Sequence, residues 1–191
     1  YPLIGGVEKV MYDITLGLSE KGIHCDMMCT GSDGRAGIIK LNEYANLICC
    51  KTLFKFAATT VSYDMIKQLK KTCSNYQIIH IHHPDPMACL ALYLSGYNGK
   101  VILHWHSDIL KQKLLLKFYI PLQRWLLNRA DLIIGTSPLY IKESPYLQDV
   151  QHKTAYLPIG VNPVEYSEKE VNELRRKYGN KKIIFGMGRL V

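Results

Sequence analysis

Three features of the sequence predict an α/β fold built on a parallel β-sheet. Segments with helical periodicity alternate with short strand-like segments along most of the chain. The strand-like segments at 101–103 and 132–134 are continuously apolar, which is typical of strands covered on both faces. The histidines and other unusual polar residues lie where these strands end. Since crossovers between parallel strands are right-handed, these features together predict a Rossmann-like, doubly wound sheet.

The elements follow from periodicity and from the residues that begin or end them. An apolar stripe indicates the first helix, and Gly22 is the residue type expected just past its end. Pro86 fits the first turn of a later helix, whereas Pro121 should kink or split another. We predict helices at 7–21, 60–72, 85–94, 114–129, from 137 onward and at 168–178. We predict strands at 24–30, 37–41, 46–51, 77–82, 100–106, 131–135, 154–157 and 181–185.

Length and charge limit the class of protein. The 191 residues suffice for one domain with a sizeable core and are short for two. Lys and Arg number 24 against 16 Asp and Glu, a formal charge of +8, which suits an anionic partner such as a nucleotide phosphate. The basic residues are scattered, so we expect no nucleic-acid partner. The six cysteines form no C-x-x-C pair and are interpreted as reduced packing residues of a cytoplasmic protein.

The most apolar stretch, 114–127, is too short to span a bilayer. A core helix is the favoured interpretation. The alternative is peripheral contact with the inner face of a membrane, because basic residues flank the stretch. These are Lys111, Lys113, Lys117, Arg124 and Arg129.

Two sequence features indicate a binding site. Gly5 and Gly6 precede a helix, where exposed amides and the helix dipole favour a phosphate. Five histidines flank the ends of two predicted strands, and the alternation of strand side chains places them in pairs on one face. They are His80, His82, His83, His104 and His106. Both pairs are expected to meet in one cleft, with His106-Ser107-Asp108 opening into a loop.

A catalytic metal is the weaker interpretation of these histidines. The run from His80 to Asp85 resembles the H-x-H-x-D-H motif of metallohydrolases, but Asp85 comes one place late and Met87 replaces a required histidine. We expect His80 and His104 to be satisfied inside the sheet. No D-x-D pair occurs, so amides and basic side chains would hold any diphosphate, and no metal is expected.

Four segments resemble the retaining glycosyltransferases of family 4, which have two Rossmann-like domains in the GT-B architecture. They are Gly5–Val10, Ile78–His82 (with Gln77 in place of the usual Asp), the mannosyltransferase-like His104–Ile109, and Ala130–Ser137 followed by Leu157–Asn162. Gly188-Arg189-Leu190 is similar to the start of the second domain.

The resemblance implies transfer of a sugar from a nucleotide-diphosphate donor to a glycan or lipid-linked acceptor in polysaccharide biosynthesis. His106 would bind the transferred sugar, while Gly5, Gly6 and Arg189 would face the donor phosphates. His82, His83, Ser107 and Asp108 would line the cleft or contact the acceptor. Transfer would retain the anomeric configuration and need no metal or other cofactor.

The resemblance also implies how the chain is divided. Residues 1–165 would form the N-terminal, acceptor-side domain without its first strand, and 166–191 a linker helix and the first strand of a donor domain. Such a piece is expected to be inactive alone. The open position in the sheet would be filled by 182–185 or by a partner molecule, giving a dimer. The alternatives are a nucleotide-sugar epimerase of the same architecture and a non-catalytic carbohydrate- or partner-binding module.

Overall fold

The computed structural model describes residues 5–31, 36–56, 59–109, 113–161, 165–179 and 181–186. The chain divides into two compact units, Tyr1–Ile159 and Gly160–Val191. The first unit contains five α-helices: α1 Gly6–Ser19, α2 Tyr63–Thr72, α3 Pro86–Ser95, α4 Lys113–Arg129 and α5 Pro138–Glu143. Its strands are β1 Met27–Thr30, β2 Gly37–Lys40, β3 Asn46–Cys50, β4 Phe54–Phe56, β5 Thr59–Val61, β6 Ile78–His83, β7 Lys100–Trp105, β8 Leu132–Gly135 and β9 Thr154–Tyr156.

A four-stranded parallel sheet organises the first unit. Its strands lie in the order β6-β7-β8-β9, and every neighbouring pair is parallel. Helices or helical turns connect successive strands, as crossovers in parallel sheets require. The predicted α/β fold is confirmed. Since all four strands run the same way, their carboxyl ends share one edge of the sheet.

A second, three-stranded sheet lies in the same unit. It has the order β1-β3-β2, with β1 parallel and β2 antiparallel to β3. The Tyr76 hydroxyl donates to Asp26 Oδ2 at 2.6 Å and so ties the start of β6 to the start of β1. A buried cluster that includes Cys50, Met65 and Met87 packs α2 and α3 against this sheet. Among the described strands, β1 is hydrogen-bonded only to β3, and β6 only to β7.

The main core lies on one face of the parallel sheet. Leu103, Trp105 and Ile133 are fully buried there, together with Leu126 of α4. The burial of Leu126 and Leu127 confirms α4 as a core helix. Pro121 lies within one continuous helix, which excludes the predicted split, while the predicted kink stays a prediction. None of the described helices is long and apolar enough to cross a membrane.

The short hairpin of β4 and β5 was not predicted. Residues 59–61 pair antiparallel with 54–56, so α2 begins at Tyr63 rather than at Thr60. Ser62 caps it, its Oγ accepting from the Met65 backbone N–H at 3.0 Å. The β-branched residues Thr59, Thr60 and Val61 favour a strand, which explains the later start.

The second unit has one described helix, α6 at Glu168–Tyr178, as predicted. The strand predicted at 181–185 is wrong, because residues 181–186 adopt no regular structure. Ile184 is 98% exposed, and an apolar run without burial or a paired neighbour has nothing to hold it extended. Because residues 182–185 form no strand, they do not occupy the open position expected in the sheet. Occupation of that position by a partner molecule stays a prediction.

Candidate active site

His106 lies at the carboxyl edge of the parallel sheet, immediately after β7. Its backbone N–H donates to the His83 carbonyl at 3.0 Å, which continues the β6–β7 ladder one residue beyond the strand. The backbone is therefore held by the sheet, while the half-buried side chain lies where the chain opens into a loop. Ligands of parallel α/β sheets bind at this edge.

Four histidines form one cluster on a single face of β6 and β7. The register pairs His82 with His104, and the period of two brings His80 and His106 to the same face. His82 Nδ1 and His106 Nε2 are 2.8 Å apart, a hydrogen bond between the two rings. The rings of His104 and His106 stack with centroids 4.1 Å apart. The predicted meeting of the two histidine pairs is confirmed.

Burial keeps this histidine cluster neutral. Loss of solvent lowers the pKa of His80 to about 4, of His82 to about 2 and of His104 to about 3. Burial lowers the pKa of His106 as well. At neutral pH the cluster therefore offers uncharged imidazoles, which donate and accept hydrogen bonds without adding positive charge.

Two members of the cluster have ring nitrogens without a hydrogen-bond partner among the described residues. His80 Nε2 and both ring nitrogens of His104 are buried and unpaired. The expectation that these two residues are satisfied within the sheet is therefore wrong. The sheet uses its own backbone groups for the ladder, and the side chains beside these rings are largely other imidazoles.

His83 lies on the opposite face of β6 from His82. It is 1% exposed and stacks on Trp105 with centroids 3.7 Å apart and an interplanar angle of 5°. This position in the core disagrees with the prediction that His83 lines the cleft. The alternation of strand side chains places it away from His106.

Asp108 anchors the loop that follows His106. Its Oδ1 accepts from Trp105 Nε1 at 2.8 Å, from the Tyr140 hydroxyl at 2.9 Å and from Ser144 Oγ at 2.9 Å. The oxygen is thus committed to internal contacts, whereas Ser107 is exposed. Sequence reasoning missed Tyr140 and Ser144 because they lie 32 and 36 residues away, with no local pattern linking them to Asp108.

Gly5 and Gly6 lie where α1 begins. Gly5 is the N-cap residue with extended backbone, and no side chain caps the helix. A side chain on Gly5 would collide with the Glu8 carboxylate, whereas one on Gly6 would meet nothing within 4 Å. The first-turn amides lie at the positive end of the helix dipole, and Glu8 flanks them. Arg189 lies outside the described residues.

The chain belongs to Glycosyltransferase Family 4, whose family model matches residues 4–164. It is 31% identical over 183 residues to O-antigen chain mannosyltransferase C of Escherichia coli, covering 95% of this chain and 49% of that protein. It is 26% identical over 185 residues to D-rhamnosyltransferase WbpZ of Pseudomonas aeruginosa, covering 95% of this chain and 48% of that protein. The chain thus spans about half the length of these two relatives.

A solved structure of sucrose-phosphate synthase from Thermosynechococcus elongatus has the same fold. The match has a TM-score of 0.60 at 16% identity and covers 90% of this chain and 95% of that one. At this identity the likeness concerns the fold alone, which is a Rossmann-like fold of the GT-B architecture.

Proposed function

We propose that this chain is the N-terminal, acceptor-side half of a glycosyltransferase that moves a hexose from a nucleotide-diphosphate donor to a glycan or lipid-linked acceptor. The observation that carries the proposal is the position of His106. It is half-buried at the carboxyl edge of the parallel sheet, in a region that matches the family. A hexose is favoured because the two relatives are named for mannosyl and rhamnosyl transfer.

His106 would bind the transferred sugar through a hydrogen bond. Its Nε2 is already paired with His82 Nδ1, so the ring is oriented before any sugar arrives. A hydrogen-bonding group that is already oriented lowers the activation barrier most when it meets charge that develops only in the transition state. Because burial lowers its pKa, the imidazole would meet the sugar in its neutral form.

The donor phosphates would be held without a metal ion. The uncapped first turn of α1 at Gly5 and Gly6 supplies backbone amides and the positive end of a helix dipole. Arg189 would offset the charge that develops on the diphosphate leaving group. Transfer would retain the anomeric configuration. The residues that bind most of the nucleotide would belong to a donor domain, so this half alone would be inactive.

The test is the transfer rate of a His106→Ala variant in a protein that carries both domains. Nucleotide-diphosphate mannose and nucleotide-diphosphate rhamnose serve as donors with a lipid-linked glycan acceptor. Loss of one transition-state hydrogen bond should lower kcat by about 100-fold, with thermal unfolding unchanged. The anomeric configuration of the product, read by NMR, tests retention separately.

His152→Ala is the matched control, because His152 is an exposed histidine away from the cluster. It should transfer sugar at the unmodified rate. A His106→Ala variant that keeps its full kcat while folded would contradict the role of His106. Absence of transfer from every donor by the unmodified two-domain protein would contradict the proposed reaction.

A further inference from the structure

The histidine cluster contains more imidazoles than the proposed transfer uses. His80 and His82 lie two residues apart on β6, and His104 lies opposite His82 on β7. One ring nitrogen from each of the three lies within 4.8 Å of those from the other two. They form the one such group among the parts of the chain that the structure describes.

The unpaired nitrogens of this group point to a ligand. His80 Nε2 and both nitrogens of His104 are buried without a partner, and His104 is 1% exposed. An unsatisfied buried polar atom is destabilising, so three of them in one place are a large uncompensated cost. A bound ion would accept the lone pair of His80 Nε2 and the single lone pair of His104, whose other ring nitrogen carries the proton.

We propose that His80, His82 and His104 form a binding site for one divalent transition-metal ion, with Zn²⁺ as its representative. Imidazole nitrogens suit zinc, nickel and copper, whereas magnesium and calcium prefer oxygen. Three protein ligands leave the fourth position of a tetrahedral ion to water or an oxyanion. His80 and His82 are half-buried, which gives an ion access from solvent.

The distances permit the site after small side-chain rotations. Zinc–nitrogen bonds of about 2.0–2.1 Å in a tetrahedron place the nitrogens about 3.3 Å apart. The separations of up to 4.8 Å must therefore shorten by about 1.5 Å at most.

His106 supplies the outer contact that metal-bound histidines require. When His82 binds the ion through Nε2, its Nδ1–H donates to His106 Nε2 at 2.8 Å. His106 then carries its own proton on Nδ1. The ion is not needed for the proposed transfer, but its binding would set the tautomer of His106.

A zinc site at these three histidines differs from the expectation, drawn from the sequence, that the protein binds no metal. That expectation rested on the absence of a D-x-D pair, on the resemblance to family 4 and on the failed H-x-H-x-D-H comparison, which takes its ligands from one segment. The strand register instead adds His104 from β7 to the His-x-His of β6.

The experiment titrates the tag-free, metal-stripped full chain with Zn²⁺ by calorimetry and with Co²⁺ by visible absorption. One ion per chain is expected, with cobalt ligand-field bands typical of a four-coordinate site. A thiolate-to-cobalt charge-transfer band would assign the ion to the free cysteines and overturn the proposal. Absence of saturable Zn²⁺ binding would overturn it as well.

Three variants and a control locate the ion. His80→Ala and His82→Ala each remove a half-buried ligand and should weaken Zn²⁺ binding at least about tenfold. His106→Ala should weaken it by about 10- to 100-fold through the lost outer contact. His152→Ala should bind as the unmodified chain does. Equal affinity in all four proteins, with unfolding curves showing that they are folded, would overturn the site.

Discussion

Two polar clusters lie beside the carboxyl end of β7, and they differ in how completely they are satisfied. On one side, Asp108 Oδ1 accepts hydrogen bonds from Trp105, Tyr140 and Ser144. On the other, the histidine cluster leaves three buried nitrogens of His80 and His104 unpaired. Both clusters include residues of the same short segment, 104–108.

The difference separates a structural cluster from one suited to a ligand. A carboxylate oxygen with three internal donors has little capacity for anything else, and it fixes α5 to the loop after β7. Neutral imidazoles with free lone pairs are costly unless something binds them. We therefore expect substitutions in the two clusters to change stability in opposite directions.

The largest expected effect is that of Asp108→Ala. It leaves three donors without their acceptor, and Trp105 and Ser144 are buried. We expect the free energy of unfolding to fall by about 3 kcal/mol, measured by urea denaturation. Asp149→Ala, at an exposed carboxylate, should stay within about 0.5 kcal/mol. A loss below about 1 kcal/mol for Asp108→Ala would show that the cluster is not structural.

A smaller effect of opposite sign is expected from His104→Leu. The substitution removes two unpaired buried nitrogens. When a chelator keeps the protein free of metal, the variant should therefore be more stable than the unmodified chain by about 1 kcal/mol. Zn²⁺ at 100 times its Kd should stabilise the unmodified chain by about 2.7 kcal/mol and leave the variant unchanged. Destabilisation of the variant in chelator would mean that the His104 nitrogens have partners in solution.

The smallest effect concerns a carboxylate at the opposite, amino-terminal edge of the same sheet. Asp131 accepts from Lys100 Nζ at 2.8 Å and from the Val101 N–H at 2.8 Å. These bonds, with Arg129 nearby, lower its pKa to about 2. The folded state therefore gains stability above the unfolded pKa of about 4, and loses it as the pH falls from about 4 to about 2.

The contribution of Asp131 should stay below about 1 kcal/mol, because the group is solvent-exposed and screened. Thermal unfolding of the unmodified chain and of Asp131→Asn should differ at pH 6 and converge towards pH 2. Asp149→Asn should parallel the unmodified chain throughout. A difference between Asp131→Asn and the unmodified chain that persists at pH 2 would contradict the assignment.

The sequence predicted most of the helices and strands because their signals are local. Ser137 and Pro138 begin α5, the Ser137 Oγ accepting from the Tyr140 N–H at 3.2 Å, and Asp85 caps α3. The wrong predictions of secondary structure concern segments whose conformation depends on pairing or packing with another segment. Residues 183–185 are as apolar as a buried strand yet remain irregular, and 59–61 form a strand because they pair with 54–56.

The candidate site could be predicted only in part. The spacing predicts that His80 and His82 share one face of their strand, and that His104 and His106 share one face of theirs. The structure brings these two pairs together. The burial of His83 against Trp105 also follows from strand alternation, but sequence reasoning grouped it with the cleft. The hydrogen bonds from Tyr140 and Ser144 to Asp108 could not be predicted from the sequence, since contacts across 32 and 36 residues leave no periodic pattern in it.

By itself, the sequence determined most of the strands and which of their side chains share a face, because those properties repeat over a few residues. Only the tertiary structure decided which polar atoms find partners. Asp108 accepts three hydrogen bonds, whereas both ring nitrogens of His104 have no partner among the described residues. The physical reason is that a hydrogen bond depends on about 3 Å between specific atoms, and that distance is set by packing between elements far apart in the chain.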